Sequence, residues 1–223
     1  MAEFAIAFIV FLGAHALPAR TGLRDALIER LGRRVYLILY SALSLVLLVW
    51  LIVAAVNAPH IALWPTSRAS VAIALVLTAA AALLLSCGVT RPNPVSISFR
   101  GGNSDPQNPG ILALTRHPVL WAFFLWSVAH CIANGDVVGL FMFGSFAAFS
   151  IASRSRLEKR ARLRLGEAGY ANAMGINAGP IAERLQRALS PRLAVEAGAG
   201  LVLYAIMLAL HGDVIGVDPL AYF

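Results

Sequence analysis

An all-α, polytopic transmembrane helical bundle of about six spans is the fold class this sequence predicts, on three observations. Of 223 residues, 59% are hydrophobic and only 13% charged, with a mean hydropathy of +0.76; a soluble domain carries roughly a quarter charged residues. The charges are clumped, leaving apolar stretches close to the roughly 20 residues that cross a hydrocarbon core. Those stretches are Leu/Ala/Val runs without polar alternation, so they read as helices and not as strands of a closed barrel.

The spans fall at about 2–17, 35–56, 69–89, 111–133, 137–152 and 194–210. The first follows Met-Ala-Glu-Phe, which lacks the basic n-region of a signal peptide, and is read as a retained span. The first and last are short. Residues 18–34 carry Arg20, Arg24, Arg30, Arg33 and Arg34, whereas residues 57–68 carry only Arg68. The stretch around 90–116 carries Arg91, Arg100 and Arg116, the turn at 134–136 has no basic residue, and residues 153–193 carry nine. Odd-numbered loops thus hold seventeen of eighteen Lys and Arg, which makes them cytoplasmic and leaves both termini on the non-cytoplasmic side. The net charge of +7 is explained by those loops, and no nucleic-acid partner is expected.

Between the spans, residues 90–110 are rich in Pro, Gly, Asn and Ser and read as irregular linker. Asn134-Gly135-Asp136 reads as a tight turn, with Asp136 as N-cap of the next helix. Residues 154–164 hold six basic residues in eleven. Further on, Ile181, Leu185 and Leu189 share a helical face opposite Glu183, Arg184 and Arg187. The expected organisation is a membrane core over 1–165, an amphipathic segment over 166–193 lying on anionic headgroups of the inner leaflet, and a last span with its tail over 194–223. Cys87 and Cys131 belong to no CxxC or CxxCH pattern and read as small buried hydrophobes.

Ionisable residues inside spans are expensive and therefore informative. Those that stand out are histidines: His15 in the first span, His117 and His130 in the fourth, and His211 near the end of the last, the last read as interfacial. His60 reads as a loop residue. Carboxylates are nearly absent from the spans, so relay transport or paired-carboxylate catalysis has little to build on. Pro118 suits a first helical position, which puts Arg116 and His117 at the cytoplasmic mouth of the fourth span. Trp126 and His130 are four apart and share a face, with Phe123 a turn back. An imidazole among aromatics suits a porphyrin pocket and equally suits a core histidine bonded to a neighbouring helix; both readings stand. Leu12-Gly13-Ala14 before His15 would let a helix or a flat cofactor approach closely.

At these residues the chain resembles the NnrU family of bacterial membrane proteins, which is linked to nitric oxide metabolism and denitrification. The resemblance lies in Phe11-Leu-Gly-Ala-His15, Leu114-Thr-Arg116-His117-Pro118-Val-Leu-Trp121, Leu125-Trp126-Ser-Val-Ala129-His130 and Ala133-Asn134-Gly135-Asp136. It runs on through Leu140-Phe-Met-Phe143-Gly144 and covers roughly residues 5–165. The plant zeta-carotene isomerase, a haem b membrane protein, is similar to this family over its membrane domain. The resemblance implies a bacterial inner (plasma) membrane location and haem b, with His15 and His130 as candidate iron ligands. The candidate cofactor-contacting set is His15, His130, His117, Trp126 and Arg116. The position of the plant enzyme's alternative cysteine ligand holds Ser127, so thiolate ligation of that kind has no counterpart here. By depth along the spans, roughly 20 Å separating His117 from His130 at 1.5 Å per residue, His117 is the geometric rival to His130.

Two other function classes fit parts of the sequence. Isoprenylcysteine and phospholipid methyltransferases also carry Arg-His-Pro at the mouth of a span, followed by a Glu-rich helix and a Gly-x-x-Tyr element that hold S-adenosylmethionine. Here Arg116-His117-Pro118, Glu158-Lys159 and Gly166-Glu-Ala-Gly169-Tyr170 are the counterparts, with Lys159 in place of the second Glu. A non-catalytic scaffold or assembly factor, docking an unidentified redox or assembly partner through its basic face, would tolerate alanine at all three candidate histidines.

Overall fold

The computed structural model describes residues 1–223, the side chains of residues 19 and 20 excepted, so the Arg20 counted in the first basic loop lies outside the described side chains. The fold is all-helical: α1 (Ala2–Arg20), α2 (Leu23–Leu31), α3 (Arg33–Val56), α4 (Arg68–Val89), α5 (Pro118–Asn134), α6 (Val137–Gly175), α7 (Ile181–Ala188) and α8 (Pro191–Ile215). Short 3-10 turns at Gly110–Ala113 and Pro219–Tyr222 complete it. By length and composition α3, α4, α6 and α8 can each cross a membrane, and Ala2–Pro18 with Leu23–Leu31 adds a fifth if counted as one broken span.

Four elements differ from the sequence expectation, the first being α2, a nine-residue helix inside the stretch read as a basic loop. The helix expected over 111–133 starts only at Pro118 and has 17 residues, because residues 110–113 form a 3-10 turn and the residue before a proline is disfavoured in the α region. The last helix is not short. It has 25 residues, opened by Ser190, whose hydroxyl accepts the Leu193 N–H, and closed by Gly216 at φ 87°. The helix expected over 137–152 continues through the basic run to Gly175, broken only at Gly166, whose φ of 69° and ψ of 172° are not helical.

The chain forms two compact units, Met1–Leu63 with Asp136–Met142, and Trp64–Gly135 with Phe143–Phe223. In the first, α1 and α2 pack on α3, and Asp136 caps α6 by accepting the Gly139 N–H at 2.5 Å. In the second, α4 packs against both α5 and α8. Small residues set how close those helices come: a Cβ on Gly88 would meet the Pro118 ring at 2.8 Å, and one on Gly200 the Ala82 carbonyl at 2.9 Å. Trp64 folds back on the end of α5, its N–H donating to the Gly135 carbonyl and its indole N–H to that of Ile132.

A buried ion pair fastens α4 to α8. Arg91 and Glu196, only 3% and 7% exposed as side chains, meet at 2.8 Å. Thr90 Oγ1 donates to Glu196 Oε1 at 3.0 Å and Arg192 Nε donates to the same oxygen at 2.9 Å. Burying two charges is tolerable only with such saturation of the carboxylate. Glu196, a carboxylate inside a span, went unremarked in the sequence reading.

Candidate functional site

The second unit gathers its polar side chains where the chain enters α5. Asn93 organises the approach: its Oδ1 accepts the N–H groups of Val95 and Ser96, and its Nδ2 donates to the Arg116 carbonyl at 2.9 Å. This turn is of the kind Asn side chains favour, and it brings residue 96 to residue 117. His117 precedes Pro118 with φ −124° and ψ 56°, and its side chain is almost fully buried. Its Nε2 lies 3.0 Å from Glu158 Oε1 and its Nδ1 2.9 Å from Ser96 Oγ.

Those distances fix the proton. A carboxylate only accepts, so Nε2–H donates to Glu158, and Nδ1 accepts from the Ser96 hydroxyl. Burial pushes the His117 imidazole below its ordinary value, against the opposing pull of the Glu158 hydrogen bond and charge. Burial raises the Glu158 carboxyl, but its hydrogen bond from His117 and the charges of His117, Arg116 and Arg154 win, and its value is lowered. The ground state at neutral pH is therefore a neutral imidazole against an ionised carboxylate.

Arg116 completes the cluster, with Nη1 3.3 Å from Glu158 Oε1 and Nε donating to Asn177 Oδ1 at 3.1 Å. Beside it a cavity of about 210 Å³ is lined by Arg116, His117, Trp121, Arg154, Glu158 and Asn177 among others. The Arg154 guanidinium stands 5.1 Å above the Trp121 ring.

His130, three turns further along α5, sits in different surroundings. Trp126 lies 4.6 Å and Phe143 4.8 Å from it between ring centroids, and Trp126 stacks on Phe123 at 5.5 Å. His130 Nδ1 lies 2.7 Å from the Trp126 carbonyl. His211, expected at the interface, is its ring neighbour at 6.4 Å, with Nδ1 2.6 Å from the Val217 carbonyl. Ser127 is fully buried and donates to the Phe123 carbonyl at 2.7 Å.

In the first unit His15 repeats the His130 pattern. Its Nδ1 lies 2.7 Å from the Phe11 carbonyl, and the Phe11 ring is 4.4 Å away. In each case a residue four positions back supplies both the aromatic ring and the acceptor. Because a carbonyl cannot donate, Nδ1 carries the proton and Nε2 the lone pair, as in metal-ligating histidines. A Cβ on Gly13 would meet nothing within 4 Å, so the small residue near His15 borders open space.

The structure thus brings Arg116 and His117 together, and Trp126 with His130, as two separate centres. Ser96 and Asn177 were missed by sequence reasoning, which had no periodic signal linking irregular segments, and Arg154 was read only as the first of a basic run. Of the elements shared with methyltransferases, Glu158 joins Arg116 and His117, but Gly166 and Tyr170 do not line the cavity. Tyr170 lies under the Arg162 guanidinium at 5.3 Å. Among the described residues no three His, Cys, Asp or Glu side chains are grouped to hold a metal ion; an axially ligated haem requires no such group. A family model described as NnrU protein matches residues 3–219. No curated protein and no solved structure matches the chain.

Proposed function

Because the chain belongs to the NnrU family, we propose that it is a haem b protein of a bacterial inner membrane, serving nitric oxide-linked redox chemistry. The carrying observation is the shared local geometry of His15 and His130. Each donates Nδ1–H to the carbonyl four residues back, at 2.7 Å, and each imidazole lies beside an aromatic ring. That tautomer is the one an iron ligand needs, and the flat faces of Trp126 and Phe143 suit a porphyrin's apolar edge. Haem, when bound, would supply one-electron exchange and an affinity for diatomic gases.

In this reading each of His130 and His15 would offer its Nε2 to iron, and Trp126 and Phe143 would exclude water around His130. His117 is not a ligand, since both ring nitrogens are engaged by Ser96 and Glu158. Six spans with both termini outside, as the distribution of Arg and Lys favours, complete the proposal.

The test is the absorption spectrum of protein purified from haem-supplied cells, oxidised and dithionite-reduced. A Soret band with sharp reduced α and β bands is expected, changed in His15→Ala and in His130→Ala but kept in His117→Asn. A flat spectrum from folded wild-type protein would overturn the proposal.

A further inference from the structure

The cavity beside His117 has a charge imbalance that its own residues do not resolve. Arg116 and Arg154 face it with a single carboxylate, Glu158, and the neutral imidazole adds nothing. Glu158 Oε1 is already engaged by Arg116 and His117. Arg154 Nε is buried and has no hydrogen-bond partner, an arrangement that is costly for a charged donor unless an acceptor arrives. One positive charge in excess, presented by a planar fork stacked on Trp121, matches a monoanionic phosphate.

The elements that border the cavity say what carries that phosphate. Leu114 forms part of its wall. Arg184 of α7 donates from Nε to the Ala113 carbonyl at 2.8 Å, and from Nη2 to the carbonyl of Leu114. The same helix turns Ile181 and Leu185 outward, both exposed, with Leu189 exposed just beyond its end. A short helix with Arg184 tied inward and its apolar side chains outward is suited to lie among lipid headgroups. The cavity wall is one hydrogen bond from it. The exposed Arg156, Lys159 and Arg160 of α6 add attraction for anionic lipid.

We propose that the Arg116–Arg154 cavity is a binding site for the phosphodiester of a glycerophospholipid headgroup, with Arg154 as its principal contact. Trp121 fixes the plane of the Arg154 guanidinium, and Glu158 holds Arg116 at the rim. The site does not depend on haem.

The test is isothermal titration calorimetry on the full chain, delipidated in a neutral maltoside detergent. The probes are dihexanoyl phosphatidylglycerol, glycerol 1-phosphate and dihexanoylglycerol. Saturable binding of the phospholipid is expected, with neither of the other two competing. Arg154→Gln should weaken it by about tenfold or more, the scale of losing a charge-assisted hydrogen bond. Arg154→Lys should recover part of the loss, and Arg30→Gln, an exposed residue of the other compact unit, should bind as wild type. Thermal melts of each variant identify any that fail to fold, and the Lys variant keeps the comparison readable if the Gln variant does. Equal binding by wild type and folded Arg154→Gln, or no binding by wild type, overturns the site. Glycerol 1-phosphate binding as tightly as the lipid overturns the lipid assignment.

Discussion

One carboxylate oxygen of Glu158 receives both the His117 Nε2–H, at 3.0 Å, and the Arg116 guanidinium, at 3.3 Å. Residues 41 and 42 positions apart are joined through a single atom, so the start of α5 and the basic part of α6 are held by a contact that depends on protonation.

Acid should therefore weaken the fold here. The His117 value is lowered in the folded protein, so the unfolded chain takes up a proton first, and stability falls as pH drops below about 6.5. The Glu158 value is lowered as well. Its contribution is complete above the ordinary carboxylate range and is lost as pH falls through the folded value. Melting curves in detergent between pH 8 and pH 5 should slope downward for wild type and flatten for His117→Asn. Parallel slopes would refute this.

Glu196→Ala should be among the most damaging single changes. It would leave the buried Arg91 guanidinium without its partner, at a cost of about 3–5 kcal/mol. Arg192→Ala, at the exposed side of the same carboxylate, should cost far less. Denaturant unfolding of the two variants compares them, and similar losses would count against the assignment.

The α4–α8 contact makes a matched glycine test. Gly200→Ala places a methyl against the Ala82 backbone at 2.9 Å and should destabilise by about 1–3 kcal/mol. Gly198→Ala meets nothing within 4 Å, and should be neutral or gain up to about 1 kcal/mol of helix propensity. Equal effects in a thermal melt would mean that α4 and α8 are not in close contact there.

Gly135→Ala should loosen the end of α5. The residue sits at φ 63°, and a Cβ there would fall 2.3 Å from the Trp64 carbonyl oxygen, adding a clash to a left-handed penalty of about 1–2 kcal/mol. Faster amide exchange at Trp64 and Gly135 is the expected readout; unchanged exchange would argue against the clasp.

The helices were legible because hydropathy acts over twenty residues at a time. Lipid-compatible runs place α3 and α4 to within two residues, and Asn134-Gly135-Asp136 announces its own turn and cap. The start of α5 was read several residues early because Pro118 and the preceding 3-10 turn act locally, inside an apolar stretch that hydropathy averages over. The cluster at His117 was only half legible. Arg116 and His117 stand out as charged groups at a span, while Ser96 and Asn177 reach them 21 and 61 residues away in sequence. Contacts made by irregular segments have no period to read.

The hydrogen bonds of the histidines also decide which of them could pass a proton along. His15, His130 and His211 each give Nδ1–H to a peptide oxygen, a group with no proton of its own to hand on. Whatever reaches the far nitrogen of such a ring stops there. His117 alone of these four has an exchangeable group on both sides, a hydroxyl at one nitrogen and a carboxylate at the other. If a proton is conducted through an imidazole of this chain, the continuous path runs Ser96 to Glu158, and the other three rings are termini.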